Sequence, residues 1–171
     1  MKNIVSTGLF CCLLLSCKKE VSELPPATQT GANTFGAIVN GKLWAPSGFG
    51  IAPTAPILDA YYMPGRSVII HARNFASSPK ESEFEIQLTN VKTPGVYEFR
   101  EGTGNSAYYV ERRFMPTGEW RTNNQHGGSV NITLTDTVNK ILSGTFQFKA
   151  ASVYNESPIE VTEGRFDLKL K

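Results

Sequence analysis

Apolar side chains recur at every second position along much of this chain, and that period decides what it can fold into. Phe84, Ile86 and Leu88 alternate with Glu85, Gln87 and Thr89, and Val130, Ile132 and Leu134 with Asn131, Thr133 and Thr135. Successive side chains of a strand point to opposite faces, so this pattern buries one face of a sheet and wets the other. Leu142, Gly144, Phe146, Phe148 and Ala150 form one face of another strand, and Phe166, Leu168 and Leu170 close the chain. Turn residues separate the runs. Asn40-Gly41, between Phe35–Val39 and Lys42–Trp44, is the strongest of these signals, because both residue types accept positive φ. Met63-Pro64-Gly65-Arg66 divides Ile57–Tyr62 from Ser67–Phe75, Thr93-Pro94-Gly95 leads into Val96–Arg100, and Ser106–Met115 is rich in β-formers. No stripe of helical period exceeds two turns. The expectation is one all-β domain over residues 35–171, an antiparallel sandwich or barrel of about nine short strands. Ala45–Pro56 and Met115–Gly128 read as its long loops.

Composition agrees and narrows the partners. The 171 residues, 40% of them hydrophobic, suit one globular domain. The 17 Lys and Arg are nearly balanced by 15 Asp and Glu, and the densest basic pair in the domain is Arg112-Arg113. A nucleic-acid partner normally demands a basic excess or a basic face, so none is expected.

The N-terminus carries an address. Lys2 precedes an apolar run, Ile4 to Leu15, interrupted only by Ser6, Thr7 and Gly8. A spanning helix needs about 20 apolar residues, so this run has the length of a signal-peptide core instead. It ends in Leu14-Leu15-Ser16-Cys17, which resembles the lipobox of bacterial lipoproteins. The resemblance implies removal of Met1–Ser16, lipidation of Cys17 and anchoring in a membrane by two or three acyl chains. Lys18 stands where an Asp would favour retention at the inner membrane, and Lys18-Lys19-Glu20 resembles in part the signal of surface-exposed lipoproteins. The outer membrane is therefore expected, with its periplasmic or outer face left open. Residues 17–34, with Pro25-Pro26 and Gly31 but no alternation, read as the lipidated Cys and a flexible tether. Cys11, Cys12 and Cys17 are the only cysteines. The domain itself thus has no thiol for a disulfide, a thiolate metal site or cysteine catalysis.

Three stretches carry a wider resemblance. Thr34–Trp44 (TFGAIVNGKLW), Ile141–Ala150 (ILSGTFQFKA) and Val161–Leu168 (VTEGRFDL) resemble a family of small Bacteroidota lipoproteins of unknown function. That resemblance implies an all-β domain after a lipobox and brings no activity and no site residues.

Candidate chemistry is sparse. Glu81, Glu83 and Glu85 share one face of a strand; three carboxylates could hold Ca²⁺, but a polar face opposite Phe84, Ile86 and Leu88 is what a one-sided sheet requires. A glycosidase pair must instead face across a cleft. His71 and His126 have no ligand spacing around them, so no metal and no cofactor is expected. Nucleophile-elbow, P-loop and HExxH signatures are missing. Tyr61-Tyr62 and Tyr108-Tyr109 should each send one ring inward and one outward. Trp120 and Arg121, placed in the expected Met115–Gly128 loop with Asn123, Asn124 and His126, are the preferred contacts for a ligand or partner. Asp136-Thr137-Val138 sits in an expected hairpin turn and matches a short bacterial O-glycosylation motif, which marks Thr137; its plain reading is a turn favoured by Asp. The leading expectation is a monomeric, lipid-anchored, non-enzymatic domain that binds an envelope protein or glycan. An accessory subunit of an envelope complex is the alternative, and a hydrolase the weaker one.

Overall fold

The computed structural model describes residues 22–48, 56–77, 80–112, 115–155 and 157–171. Met1–Ser16, Cys17, and Phe49 in the first expected loop lie outside the described residues.

The domain is all β. Its strands are β1 (Thr34–Val39), β2 (Lys42–Trp44), β3 (Leu58–Met63), β4 (Ser67–Ser77), β5 (Lys80–Leu88), β6 (Gly95–Phe99), β7 (Ser106–Arg112), β8 (Pro116–Arg121), β9 (Gly128–Asp136), β10 (Ile141–Ser152) and β11 (Ile159–Lys169). Every strand pairing is antiparallel. One sheet runs β2-β1-β11-β10-β9-β6 and the other β3-β4-β5-β7-β8. The long β10 joins them: Ile141–Ala150 pairs within the first sheet, and Ala151 and Ser152 pair with Arg121 and Trp120 of β8. At the opposite corner the Lys171 N–H donates to the Ala60 carbonyl at 3.0 Å, so the sandwich is partly closed there too.

The alternating residues face inward as their period requires. Phe84 is the hub of the core, with ring centroids 4.6 Å from Trp44, 4.8 Å from Tyr109 and 5.6 Å from Phe35. Phe146 and Phe148 of the facing sheet each stand 6.2 Å away. Burying Trp44 is tolerable because its indole N–H donates to Ser82 Oγ at 2.8 Å. The Asn40-Gly41 turn has φ of 47° and 76°, the paired positive values that a two-residue hairpin needs.

Three expectations need correction. The described residues form eleven strands, where about nine are expected. Part of the expected Met115–Gly128 loop is strand β8, whose sequence PTGEWR has a Pro, a Gly and no apolar alternation. It becomes a strand because β7 and the end of β10 offer ladder partners on its two sides. Gly118 is required there, since a Cβ would stand 2.2 Å from the Trp120 ring. Finally, the tether is only partly a tether. Thr28, Thr30, Gly31 and Ala32 donate to the carboxylate of Asp167 on β11, and Pro25 packs against Gly36, where a Cβ would meet its ring at 2.7 Å. Residues 24–33 are thus laid against the outer side of the first sheet.

Candidate functional site

The outer face of the second sheet carries the densest polar chemistry of the described residues. Register lines up two rows across it. Asp59, His71, Glu85, Tyr108 and Arg121 are successive cross-strand partners on β3, β4, β5, β7 and β8. One step along the strands, Arg73, Glu83, Val110 and Glu119 make the second row. Each residue is here because its neighbours two positions away also face outward, while Ile70, Ala72, Phe84, Ile86 and Tyr109 take the inward positions.

Opposite charges fall across the ladder and link the rows. Arg73 reaches Asp59 Oδ1 at 2.8 Å and Glu83 Oε1 at 3.0 Å; Arg112 reaches the other Glu83 oxygen at 2.7 Å. His71 Nδ1 stands 3.4 Å from Glu83 and 3.8 Å from Glu85. Tyr61 donates its hydroxyl hydrogen to Asp59. These groups are well shielded for an outer face: the Asp59 side chain is 5% exposed and those of Arg73 and Glu83 are each 16% exposed. Burial pushes the Glu83 carboxyl up, and the close approach of His71 together with the Arg73 and Arg112 guanidinium groups more than reverses it, so the group stays below the usual carboxylate range. Burial, reinforced by Glu119, raises the Tyr108 hydroxyl.

Glu83 is not set up as a general acid. A general acid needs a carboxyl raised toward neutrality. Glu83 is held ionised, with each oxygen taken by a different guanidinium. The three-carboxylate Ca²⁺ reading for Glu81, Glu83 and Glu85 gains nothing, and among the described residues no group of three His, Cys, Asp or Glu is placed to hold a metal. Two rings on this face each lie against a cation. The Arg121 guanidinium carbon lies 4.7 Å from the Tyr108 ring centroid, and Lys171 Nζ lies 5.3 Å from that of Tyr61.

Trp120 and Arg121 do not act from one surface. On a strand, adjacent residues face opposite ways, and β8 sends Arg121 to the polar face and Trp120 toward the core. The Trp120 ring packs 5.8 Å from Tyr109, and its N–H donates to the Ser157 carbonyl at 3.0 Å. We expect Trp120→Ala to cost about 2 kcal/mol and lower Tm by several degrees, because it removes a rim side chain that seals the core. A variant with unchanged Tm in a thermal melt would return Trp120 to the list of contacts.

The other expected site residues are dispersed. His126 lies in the β8–β9 loop, its N–H held by the Asn123 side chain at 2.8 Å, apart from His71 in the middle of the second sheet. Thr137 is exposed at the β9–β10 turn, where Asp136 Oδ1 accepts from the Val138 and Asn139 N–H groups at 2.9 and 2.8 Å. The Asn139 bonds hold the Asp136 carboxyl below its ordinary range. Asp59 and Arg73 were not legible as site residues, because their importance comes from cross-strand register. The one available hint was a charged residue inside each β-rich run.

Residues 57–167 match the family described as a domain of unknown function (DUF6252). The chain belongs to this family. No curated protein and no solved structure matches it. The DUF6252 region begins at β3 and contains both polar rows in full. Strands β1 and β2 precede it, yet Phe35 and Trp44 complete the DUF6252 core by packing on Phe84.

Proposed function

We propose that this chain is a lipid-anchored envelope protein of the outer membrane whose folded domain works by non-covalent binding of an envelope protein or glycan. The observation that carries the binding half is the outer face of the second sheet: two registered rows of paired charges, flanked by the cation-backed rings of Tyr61 and Tyr108. Charges already neutralised in pairs present a fixed pattern of donors and acceptors, and Tyr and Arg are the side chains that most often dominate contact sites. Arg121 and Tyr108 lie beside the far end of β10, opposite Ala151. The anchoring half rests on the lipobox-like Leu14-Leu15-Ser16-Cys17 and on the resemblance of both ends of the chain to small Bacteroidota lipoproteins. No helix among the described residues is long and apolar enough to cross a membrane, and attachment through Cys17 needs none.

Cys17→Ala is expected to abolish lipid labelling and membrane fractionation; a variant that still partitions as a lipoprotein refutes the anchor. The intact mass of the mature wild-type protein reads the lipid, and comparison with Thr137→Ala reads any sugar at the β9–β10 turn. A mass difference equal to the substitution alone removes the glycan. For the binding half, the whole protein is titrated against peptidoglycan fragments and lipopolysaccharide oligosaccharides. Binding that Tyr108→Ala and Arg121→Ala weaken about tenfold or more each, at unchanged Tm, supports the face. Variants that bind like wild type count against it.

One observation favours the accessory-subunit reading. Val153 and Tyr154, just past β10, are 53% and 59% exposed. Two adjacent exposed apolar side chains suit a docked neighbour.

A further inference from the structure

One end of the sandwich gathers features that, Asp59 and Lys171 apart, the binding face does not use. β11 finishes there, Ile141 at the start of β10 stands opposite Lys169, and the exposed β9–β10 turn brings Val138 and Lys140. A cleft of about 490 Å³ opens at the same end, walled by Pro25, Phe35, Pro46, Ile57 and Leu58, with Lys169 and Lys171 also lining it. Ile57 is 37% exposed and Val138 is 88% exposed. The docked N-terminal segment passes this cleft at Glu23.

Chain length limits what can lie opposite. Glu23 is six residues from Cys17, and an extended chain advances at most about 3.6 Å per residue, or roughly 20 Å in all. If Cys17 is held in a leaflet, this end cannot stand farther off than that. Val153 lies at the other end of β10, twelve residues beyond Ile141, which at about 3.3 Å per residue is roughly 40 Å away. Charge agrees: Lys140, Lys169 and Lys171 outnumber Glu23 and Asp136 around this end, and in the sequence between Cys17 and Glu23 two lysines, Lys18 and Lys19, stand against one Glu20. Asp59, which also lines the cleft, is already taken by Arg73. Anionic headgroups attract such juxtamembrane lysines.

We propose that this end of the domain rests on the membrane surface that holds the anchor, with Lys140, Lys169 and Lys171 against anionic lipid headgroups and Ile57 and Val138 at headgroup level. The inference rests on the lipoprotein reading above. It also turns the Tyr108–Arg121 end of the polar face away from the bilayer.

The processed, lipidated chain tests it, because the mature domain contributes no thiol of its own. Ile57→Cys, Val138→Cys and Val153→Cys, each in a Thr137→Ala background so that no sugar holds this end off, are labelled with a fluorophore. The proteins are reconstituted in phosphatidylglycerol-containing vesicles that carry a headgroup nitroxide quencher. Quenching several-fold stronger at 57 and 138 than at 153, and reduced when Lys140, Lys169 and Lys171 are all changed to Gln, is the expected result. Position 138, on an exposed turn, keeps the test valid if Ile57→Cys fails to fold. Equal quenching at all three positions, in protein whose mass shows lipid on Cys17, overturns the inference and leaves the anchor standing. A mass without lipid overturns both.

Discussion

Replacing Asp167 by alanine is expected to cost the fold about 3–5 kcal/mol and to release residues 28–32 from the sheet. Asp167 is 1% exposed, yet it stands on the outward side of β11. It is covered because the N-terminal segment folds over it and donates from Thr28 Oγ1 at 2.6 Å and from the N–H groups of Thr30, Gly31 and Ala32 at 2.9, 2.9 and 3.1 Å. Ser143 Oγ adds a bond at 2.7 Å from the neighbouring strand. Three backbone donors, on residues that are exposed or half-buried, lose their acceptor together and turn to water on release, so the loss is that of charge-assisted bonds, about 1.5–3 kcal/mol for each one not replaced. Burial pushes this carboxyl up, but the bonds from Thr28, Thr30, Ser143 and Ala32 prevail and hold it well below its ordinary 3.8. A carboxyl depressed in the fold contributes its stability in full above the unfolded value and loses it as pH falls toward the folded value. Wild type should therefore weaken below about pH 4, and Asp167→Asn should show a shallower acid dependence. Chemical denaturation across pH measures the first effect, and hydrogen exchange at Thr30, Gly31 and Ala32 the second. Wild-type stability in Asp167→Ala, with those three amides still protected, would mean that the segment is held by something else.

Glu83→Gln is expected to cost about 2–4 kcal/mol, the next largest effect, while leaving the strand pattern intact. The glutamine has the same shape but no charge, and Arg73, whose side chain is 16% exposed, loses one of its two carboxylates. The remaining Asp59 contact at 2.8 Å limits the loss. Arg112 is 39% exposed and can turn to water, so its share is screened; a double-mutant cycle between Glu83→Gln and Arg112→Ala should give a coupling of about 1 kcal/mol or less. The Glu83 carboxyl also lies below its ordinary 4.5, so this contribution too fades as pH falls below that value. An unchanged denaturation midpoint in Glu83→Gln would show that the paired rows contribute nothing net to stability. That result would leave their role in recognition intact, since the binding assay reads Tyr108 and Arg121 separately.

The alternating runs were legible because the sheet has one dry face. Phe84, Ile86 and Leu88 could be assigned to the core from spacing alone, and Phe84 indeed lies at its centre. Asn40-Gly41 could be assigned to its turn for a reason equally local, the tolerance of both residues for positive φ. The polar rows were half legible. Period two places Glu81, Glu83 and Glu85 on the outer face, but it cannot say that Arg73 and Asp59 come alongside, because register between strands is set by the whole sheet.

Local chemistry thus determined the fold class, the hairpin turn, the inward residues and the thiol-free character of the domain. Tertiary pairing alone decided the rest. β8 has no strand signal of its own and is a strand because β7 and β10 leave it a gap with ladder partners. That pairing is what separates Trp120 from Arg121, since a loop would have let both reach one partner and a strand cannot. Asp167, between Phe166 and Leu168, has the sequence of a solvated outer residue; only the return of a segment more than 130 positions earlier buries it. Alternation reports which way a side chain points from its own sheet, and it carries no information about what another part of the chain will lay on top.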